Sequence, residues 1–222
     1  MSEKPTTSNG CEITHPVAKI DAEGFKRVLS DEFGIDAQTP SERIEQLKCL
    51  SVEGIAILLE RINKSIQGSE DSLISHDKVI KIGGEDTIRI EDRYDVFLKL
   101  VEVIKSCPKD VNPARVGDML ALGVVLLHPF KDGNGRTARV LGLMFRDNYD
   151  GQDYTEDFSI VTEPRDEARE RGGFIIYGYI ANLPAGFKRS NPDDVITYLS
   201  SLLKEDNDGL YLSCYGQAQL TS

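Results

Sequence analysis

The chain has few of the residues that staple or metallate a small fold. Three histidines and four cysteines are scattered through 222 residues, with no CxxC pair and no zinc spacing. Cys11, Cys49, Cys107 and Cys214 are expected to be reduced thiols, as in a cytoplasmic protein. Long apolar runs are missing too. The longest, Met119–Leu127, falls far short of the roughly 20 residues a membrane-spanning helix needs. Met1–Gly10 is polar and lacks the apolar region of a secretory leader. Positive charge is in deficit: 26 Lys and Arg face 37 Asp and Glu, for a formal net charge of -11. Such a surface repels phosphate backbones and anionic lipid, which speaks against nucleic-acid and membrane binding. An anionic ligand would need a local basic site that works against the global field.

What is present suffices for a globular core. Hydrophobic residues make up 40% of the chain and charged residues 28%, so one domain can close without disulfide or metal. Residues 1–15 are rich in Ser, Thr, Pro and Gly and read as a disordered tail, leaving 16–222 as a single domain. Helix signals dominate it. Asp21 is a candidate cap for a short helix burying Phe25, Val28, Leu29 and Phe33, with Gly34 as its stop. Thr39-Pro40-Ser41-Glu42 reads as a capping box with proline at the first helical position. Behind it Ile44, Leu47, Ile55, Leu58 and Ile62 fall near helical spacing, with Gly54 interrupting.

Residues 79–90 change the period. Two β-branched runs alternate around Gly83-Gly84-Glu85-Asp86, which predicts a hairpin. Helices are expected again after Asp92, with Tyr94, Phe97, Val101 and Ile104 on one face. Others follow Asn112-Pro113, Asn134, Pro164 and Asn191-Pro192. Tyr94, Tyr177 and Tyr198 read as core, and His15 and His76 as surface or hairpin-flank residues. The expected fold is all-α: a helical bundle with one small β-hairpin.

The segment from His128 to Arg139 is different in kind. It links two apolar helices yet is dense in polar residues. Gly133, Asn134 and Gly135 all tolerate positive φ, and successive N–H groups in such a turn form an anion nest that feeds a helix N-terminus. Arg136 and Arg139 stand in the first turn of that helix, the wrong end of the dipole for a cation by about 0.3–1 kcal/mol each. An anion between them explains their presence, polyphosphate first among candidates. Asp132 beside that anion calls for a divalent cation such as Mg²⁺. His128 is a base suited to neutral pH. Base, metal carboxylate, phosphate nest and paired arginines together describe a phosphoryl- or nucleotidyl-transfer site. Gly133 to Ala138 also fits the dinucleotide pattern G-x-G-x-x-A, but the helical surroundings lack the βαβ unit that pattern needs. No Walker A pattern occurs.

The same residues match without a gap the motif HxFx(D/E)GNGRxxR, as His128, Phe130, Asp132, Gly133, Asn134, Gly135, Arg136 and Arg139. In this the chain resembles the Fic family, over about residues 40–205. The resemblance implies AMP transfer from ATP to a Ser, Thr or Tyr hydroxyl of a target protein. It implies that His128 deprotonates the acceptor and that Asp132 binds Mg²⁺. Gly133, Asn134 and Gly135 would cradle phosphate, Arg136 and Arg139 would hold the β and γ groups, and Phe130 would be a buried anchor. A hairpin flap, here Ile80, Lys81, Ile82 and Gly83, would hold the target segment by edge pairing. Intact Gly133-Asn134-Gly135 favours AMP transfer over phosphate or phosphocholine transfer, and leaves UMP or GMP transfer open.

Many Fic proteins carry an inhibitory helix, [S/T]xxxE[G/N], whose glutamate pairs with the second motif arginine. Cys49-Leu50-Ser51-Val52-Glu53-Gly54 is similar to it, with Cys49 in place of Ser or Thr, so Glu53 is the expected brake. Ser201 to Glu205 is similar to the C-terminal form but continues with Asp206. Exposed Ser, Thr or Tyr near the site are candidates for self-modification. Members often dimerise, although no interface is legible in this sequence. Two other readings stay open: a Fic-type enzyme of other chemistry, including removal of AMP, and a non-catalytic module binding nucleotide or a partner.

Overall fold

A computed structural model of the protein describes residues 27–37, 39–67, 81–82, 85–130, 132–145 and 183–204. The tail, Phe25, His15, His76, Pro164, Tyr177, Cys11, Cys214 and Glu205 lie outside them. The described part is mostly helical. A π-helical turn, Val28–Glu32, buries Leu29 and ends at Gly34 with φ 64°. Then come α1 (Pro40–Cys49), α2 (Val52–Gln67), α3 (Ile90–Ser106), α4 (Pro113–Leu127), α5 (Asn134–Met144) and α6 (Pro192–Ser201).

The helix starts follow local chemistry. Thr39 Oγ1 accepts from Glu42 N–H at 3.4 Å and donates to Glu42 Oε2 at 2.7 Å, ahead of Pro40. Asn112 Oδ1 accepts from Ala114 N–H, and Asn191 Oδ1 from Asp193 N–H, both at 3.0 Å and both before a proline. Each such cap stabilises its helix by about 1 kcal/mol. Ser51 is a cap that the apolar spacing conceals: its Oγ accepts from Gly54 N–H at 2.9 Å. The stretch from Ile44 to Ile62 is therefore two helices broken at Leu50–Ser51. Gly54 sits in a first turn, where its lack of side chain matters little.

The core is formed by α3, α4 and α5, with α6 packed on α3 and α4, α2 on α3 and α5, and α1 on α4. Ile55, Leu58, Ile62, Val101, Ile104, Met119, Leu141, Met144 and Leu199 are all buried. The tightest seam joins α4 and α5. A Cβ on Gly117 would lie 3.1 Å from Gly142 O and 3.2 Å from Leu141 O, and one on Gly142 would touch Ala121. Small residues there let two backbones approach. Burial holds the Cys107 thiol above its ordinary pKa, although Lys48 lies close enough to donate to its carbonyl oxygen at 3.1 Å. It is an inert core thiol.

Two expectations need correction. Lys81–Ile82 and Glu85–Asp86 pair antiparallel, Lys81 opposite Asp86 and Ile82 opposite Glu85, and the ladder ends there. The run past Asp86 does not continue it: Thr87 and Ile88 are buried in irregular chain, and Ile90 opens α3. Two residue pairs do not make a flap, so the hairpin flap over 79–90 is not supported. Ile80 and Gly83 lie outside the described residues. Tyr94, expected in the core, is 46% exposed. The inner face of α3 is carried instead by Arg93, Val96, Leu100 and Ile104.

Candidate active site

The motif begins where α4 stops. His128 caps α4 in the left-handed conformation, φ 48° and ψ 56°, and donates its N–H to Val124 O at 3.0 Å. Among the described residues no other side-chain-bearing residue has positive φ. That conformation costs a non-glycine residue about 1–2 kcal/mol. It turns the chain sharply, so Phe130 drops into the core at 1% exposure. Phe130 then anchors the loop.

Asn134 closes the loop. Phe130 N–H donates to Asn134 Oδ1 at 2.9 Å, and Asn134 Nδ2 donates to Phe130 O at 2.6 Å. The Asn134 amide is buried and fully engaged with backbone. Gly133 sits at φ 79°, where a side chain would be strained. The helical ladder of α5 opens with Thr137 N–H to Gly133 O at 2.8 Å, so the amides of Asn134 and Gly135 stand ahead of the ladder at the helix end.

Asp132 faces solvent. Its side chain is 80% exposed; Oδ1 accepts from Gly133 N–H at 2.6 Å, and Oδ2 lies 3.4 Å from Arg136 Nη2. An ion pair this open is worth about 0–1 kcal/mol, so either partner can exchange it for a ligand. Among the described residues no group of three or more His, Cys, Asp or Glu could hold a metal ion by itself. A lone outward carboxylate fits a cation whose remaining ligands are phosphate oxygens and water. Arg139 follows Arg136 by one turn of α5; its side chain is outside the described residues.

Two further side chains reach the loop, and the sequence reading missed both. Asn63, on α2, donates from Nδ2 to Asp132 O at 3.0 Å and to Thr137 Oγ1 at 2.9 Å. Arg93, on α3, donates from Nη1 to His128 O at 3.4 Å, from Nε to Ile88 O at 3.1 Å and from Nη2 to Thr87 Oγ1 at 3.1 Å. Burial holds the Arg93 guanidinium below its ordinary pKa. One signal was available: each is a polar residue on an otherwise apolar helix face, Asn63 beside Leu59 and Ile62, Arg93 beside Val96 and Leu100.

Glu53 is exposed in the first turn of α2. Asn63, the α2 residue that touches the loop, lies ten positions further on, about 15 Å along the helix. The segment 49–54 is not one helix either, since Cys49 ends α1 and Val52 begins α2.

Residues 73–145 match the family model described as Fic/DOC family. Over that stretch the chain is similar to the Fic/DOC family. The match takes in both short strands and α3 to α5, and every motif residue from His128 to Arg139. Arg93 falls within the Fic/DOC match, whereas Asn63 and Glu53 precede it. No curated protein and no solved structure matches the chain. Among the described residues, no helix is long and apolar enough to cross a membrane.

Proposed function

We propose that the protein transfers AMP from ATP to a hydroxyl of a protein side chain. One observation carries the proposal: a left-handed His128, an exposed Asp132 and the open N-terminal end of α5 meet in a single closed loop. A carboxylate standing before a helix end that favours anions is repelled by phosphate unless a cation joins them. Asp132 would hold Mg²⁺, which would supply charge neutralisation on the phosphates. The amides of Asn134 and Gly135, with Arg136 and Arg139, would bind the triphosphate.

In the reaction the acceptor oxygen attacks the α-phosphorus and loses its proton to the His128 imidazole. The new bond is P–O to the protein side chain, and the bond to the β-phosphate bridging oxygen breaks. Pyrophosphate leaves with both electrons of that bond. Most of the acceleration comes from positioning and from donors already aimed at the developing charge. Lys81 and Ile82 are proposed to offer a short edge to the acceptor segment. The chain just past them is tied through Thr87 and Arg93 to His128. Restraint by Glu53 acting on Arg139 is a separate arm, supported by the sequence of 49–54.

The test is incubation of the full chain with Mg²⁺ and ATP labelled at the α or the γ position. Label from the α position that is lost in His128→Ala supports the proposal. Transfer of γ-label makes the protein a kinase, and binding without transfer makes it a non-catalytic module. Glu53→Gly is expected to raise self-labelling; unchanged labelling on an active protein removes the restraint.

A further inference from the structure

We infer that two buried polar residues outside the motif, Asn63 and Arg93, are positioning residues with separate duties. Asn63 holds the end of the loop that bears Asp132 and the anion cradle, and Arg93 holds the end that bears His128. The inference rests on the transfer reading above and concerns how its two halves are aligned.

Asn63 is 4% exposed and its amide spans two points of the loop, the carbonyl of Asp132 and the hydroxyl of Thr137. Thr137 is itself fully buried on α5. The amide therefore sets the distance between the metal carboxylate's own backbone and the helix end that would receive phosphate. Arg93 is 4% exposed and has no carboxylate partner among the described residues. Its planar fork reaches three neutral oxygens, those of Thr87, Ile88 and His128. It clamps the residue that adopts left-handed geometry to the chain emerging from the short β-ladder.

Both residues also satisfy buried polar groups of the loop, so the test has to separate alignment from stability. Leucine at 63 would pack beside Leu59 and Ile62 but take the donor away from Asp132 O and the buried Thr137 hydroxyl. An apolar residue at 93 would spare the desolvation of a charge. Hydrogen bonds of this kind add little net stability but are directional, so what they contribute is alignment.

The test compares the full-length wild type with Asn63→Leu, Arg93→Met and Arg93→Lys. Asn63→Leu is expected to weaken MgATP binding about ten-fold and leave kcat for α-label transfer within about two-fold. Arg93→Met is expected to lower kcat about 10- to 100-fold with MgATP affinity within about two-fold. Arg93→Lys stays impaired, because one ammonium cannot span three acceptors; full activity in it means that charge alone is needed and overturns the clamp. Amide hydrogen exchange without nucleotide gives a readout free of activity. It should quicken at 132–137 in Asn63→Leu and at His128 and Phe130 in Arg93→Met. If wild type transfers nothing, the transfer reading fails while the exchange pattern still decides the clamps. If Arg93→Met or Asn63→Leu does not fold, Thr87→Val or Thr137→Val removes one contact each and should give the same split at about three-fold size. Unchanged exchange, or affinity and kcat falling together in step with the melting temperature, overturns the inference.

Discussion

The α4–α5 seam and the loop that joins the same two helices are opposites. In the seam, a Cβ on Gly117 would lie 3.1–3.2 Å from the carbonyl oxygens of Gly142 and Leu141, and one on Gly142 would touch Ala121. In the loop, a few residues away, the chain holds a left-handed His128, a glycine at φ 79° and a carboxylate turned to solvent. The close-packed seam makes the two helix ends rigid, and that rigidity lets a strained, charged connector keep one shape. Stability and chemistry are thus assigned to adjoining stretches of the same helical pair.

Mutations can break this division. Phe130→Ala should cost about 3–5 kcal/mol, because Phe130 belongs to the core although it lies in the motif. Urea unfolding measures it, and a loss below about 1 kcal/mol would mean that the loop is not anchored. His128→Ala should do the reverse: α-label transfer falls at least about 100-fold while the urea midpoint barely moves. Gly117→Ala tests the seam. Its Cβ would meet backbone oxygens, so a loss of about 1–3 kcal/mol is expected, with activity falling only as the folded fraction falls. Asp132→Asn should change stability by less than about 0.5 kcal/mol, since the ion pair it breaks is exposed, yet raise the Mg²⁺ concentration needed for half-maximal transfer. A clear drop in melting temperature for Asp132→Asn would blur the comparison.

Much of this was readable in advance where the deciding interaction is local. Thr39, Asn112 and Asn191 each cap a helix that a proline then opens, and those bonds span two or three residues. The motif residues were legible for the same reason, since one short loop and the first turns of α5 contain them all. The hairpin is shorter than the alternation in 79–90 suggests, because tertiary packing overrides that period-two pattern past Asp86. Ile88 is drawn into the core and Ile90 starts a helix. Tyr94 was misassigned because the buried stripe of α3 runs through Arg93, Val96 and Leu100, one residue round the helix. The break at Leu50–Ser51 hid behind apolar spacing that continues across it.

The sequence by itself determined the proline-flanked caps at Thr39, Asn112 and Asn191 and the ordered set from His128 to Arg139, because each depends on neighbours within a helical turn or one loop. Tertiary structure alone decided that Asn63 meets Asp132 and Thr137, that Arg93 meets His128, and that the Asn134 side chain closes on Phe130. The first two unite residues far apart in the chain, and no local period encodes them. Those contacts exist only once helix packing has brought the polar groups together and shut out the water that would otherwise satisfy them.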